Sequence, residues 1–113
     1  MQHESHRMER VDAHLQRRLG ELIAEEYDVG NDLVTVSRVR TTRDLRQADV
    51  YLVASDRTDE HVAALQQLAP RLQDTLKPEL NFKAIPRLTF RNDAEQAEIT
   101  RVEELLEDLR EQE

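Results

Sequence analysis

The chain of 113 residues has no cysteine and no tryptophan, only two glycines and three prolines, and just 4% aromatic residues. Without cysteine, neither a disulfide framework nor a thiolate metal site can form. Gly20 and Gly30 stand alone, so no glycine-rich loop can cradle a phosphate in the mononucleotide or dinucleotide manner. No apolar run approaches the ~20 residues that cross a bilayer. The polar start, Met1-Gln2-His3-Glu4-Ser5-His6, lacks the apolar stretch of a secretory signal. These absences predict a cytoplasmic protein with no membrane partner. Four histidines are present, but His3 and His6 begin the chain and His14 and His61 fall in different helices, which predicts no metal and no cofactor. Asp44, Asp49, Asp56 and Asp59 flank strands, where turns and caps use them, and no nucleophile motif accompanies them. The expectation is a protein without catalytic activity.

What the chain has in abundance is charge, unevenly placed. Residues 1–91 carry 14 basic and 15 acidic side chains, whereas residues 92–113 carry two basic and nine acidic ones. The net charge of −8 therefore belongs to the tail. Because the Debye length is only ~8 Å in physiological salt, basic patches in the body can still attract a polyanion.

Hydrophobic spacing gives the order of elements. Val11, Leu15, Leu19, Leu22, Ile23 and Tyr27 recur at three and four residues, predicting an amphipathic helix from about Ser5, its expected N-cap, to Tyr27. Two strands follow, over 33–42 and 48–55, joined by a short turn and hence antiparallel. Val39 falls out of phase with Val34 and Val36, and a bulge near Ser37 would restore it. Residues 55–60 can cap a second helix, in which Pro70 predicts a kink or break near Leu68 and Ala69, with a further distortion at Pro78. Pro86–Arg91 reads as a third strand, with Leu88 and Phe90 on one face. Ile99, Val102, Leu105, Leu106 and Leu109 mark an acidic C-terminal helix whose stripe is expected to be buried. The result is an α+β fold with helices on one face of a three-stranded sheet. It divides into a body, residues 1–94, and a helix, residues 95–113, packed on it or extending it.

The basic residues fall in directional sets. Arg7, Arg10, His14 and Arg17 step along one side of the first helix. Arg38 and Arg40 share a side of the first strand, Arg43 and Arg46 lie in the turn, and Arg87 and Arg91 share a side of the third strand. Lys77 and Lys83 bracket the approach to that strand. Each alone would serve as a solvated surface charge; together they form the expected phosphate-binding set, since arginine offers a planar donor fork to phosphate oxygens. Tyr51 and Phe82 are the candidates for base stacking, although core packing is expected of both.

Several fragments, in this order and spacing, resemble the ribosome-binding factor A family. They are Arg7, Arg10-Val11, Val34-Thr-Val36 with Val39, Asp44-Leu45 followed by Ala48, Val50-Tyr51 and Val53, and finally Lys83, Pro86, Leu88, Phe90 and Asp93. The resemblance implies a type II KH-like domain with a kinked second helix. It also implies a non-catalytic, monomeric factor that binds 16S rRNA and free 30S subunits during late, cold-sensitive maturation. The chain departs from the family pattern at Asp28-Val-Gly30-Asn-Asp32, where an Asp-Pro-Arg-like turn is usual, and at Leu68-Ala69-Pro70, where Ala-x-Gly is usual. The competing reading is an adaptor that uses its acidic C-terminal helix to bind protein and makes no direct RNA contact.

Overall fold

The computed structural model describes residues 2–80 and 85–111, with side chains from Met8 onward. Its elements are α1 (Gln2–Glu26), β1 (Val34–Thr41), β2 (Gln47–Ala54), α2 (Thr58–Leu76), a single 3₁₀ turn (Lys77–Glu79), β3 (Arg87–Asn92) and α3 (Ala94–Glu111). The sheet order is β1-β2-β3. β1 and β2 run antiparallel, and β3 lies parallel to β2, as expected when a helix carries the chain across.

One face of this sheet is apolar. Val36 and Val39 of β1, Ala48, Val50 and Leu52 of β2, and Leu88 and Phe90 of β3 are buried there. They pack with Leu15, Leu19, Leu22 and Ile23 of α1 and with Leu65, Ala69, Leu72 and Leu76 of α2. The expected bulge is present: the β1/β2 register shifts between Val36 and Arg38, leaving Ser37 unpaired and returning Val39 to the core side.

The helix starts depart from expectation in two places, and of the kink or break expected at Pro70 no break occurs. α1 is already helical at Gln2, so Ser5 lies within it and is not its N-cap. α2 is entered through Arg57 in the left-handed region (φ 55°) with no side-chain cap, while Asp56 accepts the Arg57 N–H at 2.9 Å. The helix then runs without a break through Pro70, which is exposed. Continuity survives the missing donor because Leu65, Ala69, Leu72 and Leu76, on both sides of the proline, are buried in one core. Pro78 sits in the 3₁₀ turn, where a local distortion was expected.

Side-chain amides join the helices to the outer strands. Gln66 of α2 accepts the Phe90 N–H at 2.8 Å and donates to the Leu88 carbonyl at 3.1 Å. Gln73, two turns on, accepts the Leu88 N–H at 3.0 Å. On the other side, Gln16 of α1 donates to the carbonyls of Val36 and Ser37, both at 3.2 Å. Arg18 and Glu79 form a bidentate pair at 2.6 and 2.8 Å that ties α1 to the 3₁₀ turn.

α3 differs most from the sequence reading. None of its residues is buried, and Ile99, Val102, Leu105, Leu106 and Leu109 are 45% to 60% exposed. The apolar face of the sheet is already filled by α1 and α2. Its other face presents Arg40, Asp49, Tyr51, Thr89 and Arg91 with Val53 among them, too little aliphatic surface to cover the stripe.

Replacing Gln66 with Ala removes two hydrogen bonds from β3. It should lower stability by about 1–3 kcal/mol, since each such bond contributes about 1 kcal/mol and the strand amide loses its partner. Urea unfolding of both proteins tests this; an unchanged midpoint would show that water replaces the amide at no cost.

Candidate nucleic-acid interface

The topology separates charge along the strands. At one end lie the β1–β2 turn, the start of β3 and the N-terminal half of α1. Asp12 of α1 accepts both the N–H and the hydroxyl of Thr41 (3.0 and 2.7 Å), which pins that half against the end of β1. Asp44 accepts the Thr42 hydroxyl and the Arg46 N–H, closing the turn and holding its own carboxyl below the usual range. Gln47 is in register with Arg87, and the Arg87 N–H donates to the Arg46 carbonyl at 2.8 Å. The consequence is convergence: Arg10, Arg40, Arg43, Arg46 and Arg87 all project, exposed, at this end. α2 runs back toward it, so Lys77 is returned in the same direction. Arg10, Arg40, Lys77 and Arg87 make no ion pair among the described residues, which leaves their donors for an external anion.

The opposite end is acidic. Asp28, Asp32, Asp56, Asp59 and Glu60 surround the start of β1 and the start of α2, and α3 leaves from there. Arg57 is the basic exception, 3.0 Å from Asp32.

Arg38 and Arg91 have internal roles. With Tyr51 they form one row across the sheet, Arg38 opposite Tyr51 and Tyr51 opposite Arg91. The Arg38 guanidinium lies 4.3 Å over the Tyr51 ring, 3.2 Å from Asp93 and 3.5 Å from Glu95, while Arg91 pairs with Asp49 at 3.1 Å. Tyr51 is half-buried on the face opposite the core, so the expectation of core packing is corrected. Arg46 lies 3.9 Å from Asp44 yet remains 82% exposed. Arg17 is exposed at mid-helix, 3.4 Å from His14. Lys83, Phe82 and the Arg7 side chain lie outside the described residues.

Asp93 organises the row. It is 2% exposed and accepts the Ser37 hydroxyl at 2.6 Å and the Gln96 N–H at 3.1 Å, capping α3. Its own N–H donates to the Leu52 carbonyl at 2.9 Å. Burial would raise its pKa, but the Ser37 hydroxyl, the Gln96 N–H and the Arg38 guanidinium together hold it below the ordinary carboxylate value.

A second polar array was missed from the sequence because its members are far apart in the chain. The Tyr27 hydroxyl lies 2.7 Å from His61 Nδ1, and His61 Nε2 lies 2.7 Å from Asp32. The array has the hydroxyl, imidazole and carboxylate order of a nucleophilic relay. Burial and the nearby Asp28, Asp32 and Glu60 push the Tyr27 phenol above its usual value. The array clamps the end of α1 to the start of α2.

Comparison with known proteins bears on the family and the fold. The family model for ribosome-binding factor A matches residues 7–106. The chain belongs to the ribosome-binding factor A family. A family member from Nitrosococcus oceani is 42% identical over 94 residues, covering 80% of this chain and 74% of that one. Another, from Xanthomonas euvesicatoria, is 35% identical over 107 residues, covering 92% and 82%. The crystal structure of ribosome-binding factor A from Thermus thermophilus superposes with a TM-score of 0.70 at 29% identity, over 75% of this chain and 93% of that one. A Thermus thermophilus homology model fitted into a cryo-EM map of a 30S complex gives 0.62 at 31% identity, over 71% and 88%. The type II KH-like reading of the fold accords with these neighbours.

Because the folded pKa of Asp93 lies below its unfolded value, its stabilisation is complete above about pH 4 and is lost as pH falls through the folded value. Asp32, held low chiefly by the His61 hydrogen bond and also by Arg57, has the same sign. Asp93→Asn should cost about 1–3 kcal/mol at neutral pH and flatten the acid limb of the stability curve. A variant with an unchanged acid limb would show that Asp93 is not a titrating tie.

Proposed function

We propose that the protein is a non-catalytic, monomeric cytoplasmic assembly factor that binds 16S rRNA of the immature 30S subunit during late maturation, including in the cold. The observation that carries this reading is the convergence of Arg10, Arg40, Arg43, Arg46 and Arg87 from three separate segments at one end of the sheet. Family membership supports a ribosome-associated role, and the fitting of the Thermus thermophilus relative into a 30S complex supports the small subunit as the partner.

Binding is dominated by phosphate contacts. The exposed basic groups outnumber the exposed aromatic surface, and Tyr51 is covered by Arg38. The chain has no Gly-x-x-Gly loop to clamp a single strand. Arg17, Lys77 and Lys83, and Arg7 at the start of α1, extend the contact beyond the basic end; Arg38 and Arg91, neutralised by Asp93, Glu95 and Asp49, add no net positive charge to it. The acidic opposite end sets the orientation, because a phosphate backbone attracts one end and repels the other.

Sedimentation of the full chain with immature 30S particles at several salt concentrations tests this. Affinity should fall with a log-log slope of about −0.7 to −0.9 per phosphate neutralised. Arg40→Glu combined with Arg87→Glu should weaken binding at least tenfold with little change in Tm, since both side chains are exposed. Salt-independent binding, or a double variant that binds normally, would overturn the reading.

A further inference from the structure

The apolar stripe of α3 contains a heptad seam, with Leu105 beside it at a g position. Ile99, Val102, Leu106 and Leu109 step by three, four and three residues, which places Ile99 and Leu106 at a positions and Val102 and Leu109 at d positions of a heptad. This is the seam that a second helix packs against, and here it faces solvent. The helix is fixed at its root by the Asp93 cap and the Arg38–Glu95 pair, so it is presented to solvent from a defined base.

Its charge selects among occupants. Residues 94–111 carry seven acidic and two basic side chains. Glu98 and Glu103 flank the first heptad at g and e, and Leu105 and Arg110 take the same positions in the second, so a parallel pair of α3 helices from two copies would set Glu98 against Glu103 of the other chain and bring together two helices of net charge −5. Like charges there oppose self-pairing. A phosphate backbone meets the same repulsion, as does an anionic lipid surface. A helix with apolar a and d residues and lysine or arginine at e and g satisfies the stripe, the Glu98 and Glu103 carboxylates beside it and the net negative charge of α3.

We propose that α3 is a docking helix for a basic amphipathic helix of a partner protein, packed side by side as a short heterodimeric coiled coil. The root of α3 lies at the opposite end of the sheet from the arginine cluster.

The probe is a synthetic helical peptide of about three heptads, with Ile or Leu at a and d and Lys at e and g. Its fluorescence anisotropy is titrated with the full chain. An otherwise identical peptide with Glu at e and g should bind at least tenfold more weakly. Val102→Asn combined with Leu106→Asn leaves the charge unchanged and should also weaken binding of the lysine peptide at least tenfold. Because both residues are exposed, Tm should hold, and it is measured alongside. Four results would overturn the proposal: equal binding of the two peptides; undiminished binding by the double variant, meaning attraction by charge alone; loss of binding to protein-free 16S rRNA in that variant, making RNA the occupant; or a dimer in sedimentation equilibrium that the double variant abolishes, making a second copy the occupant.

Discussion

Asp93 joins the bulge of β1, the end of β2 and the first turn of α3 through a single buried carboxylate. Ser37 is unpaired in the strand ladder because of the bulge, and its hydroxyl is therefore available to Asp93. Arg38, the next residue, balances the charge and lies over Tyr51. An unpaired carboxylate at this depth would be strongly unfavourable, so the bulge, the guanidinium and the helix cap depend on one another. Loss of any one leaves the others with an unmatched polar group.

This tie explains why the basic residues divide into two groups. Arg38 and Arg91 belong to the ordered row across the middle of the sheet, where aspartates hold them. The turn and the strand beginnings place Arg40, Arg43, Arg46 and Arg87 beyond that row. Charge separation follows from connectivity: the β1–β2 turn and the start of β3 share one end, while α3 must leave from the other. A fold with β3 antiparallel to β2 would have sent the acidic helix into the arginine cluster.

Much of this architecture was legible in the sequence because local periodicity carries it. The stripe from Val11 to Tyr27 marked α1, and the phase slip at Val39 was enough to locate the bulge. The alternation of Leu88 and Phe90 with Arg87, Thr89 and Arg91 described both faces of β3. The ends of helices were less legible. Arg57 enters α2 in a left-handed conformation that its residue type does not announce, and Pro70 is tolerated because core contacts on both sides hold the helix. The α3 stripe showed that a face favours cover, but spacing does not say whether the same chain supplies it. The individual arginines could be counted, yet which ones were paired internally depended on Asp49 and Asp93, remote in sequence. The Tyr27–His61–Asp32 array was hidden for the same reason.

The glutamines on the two helices have a consequence for how the sheet meets other chains. A strand at the margin of a sheet is a template on which foreign strands can grow, and a three-stranded sheet has two such margins. Gln16 occupies carbonyls of β1, while Gln66 and Gln73 occupy both donors and acceptors along β3. Each amide imitates a fragment of the missing neighbour strand without lengthening the sheet. Sheet growth by strand addition is thereby obstructed at both margins, protecting the chain from edge-to-edge aggregation among crowded, partly folded polypeptides.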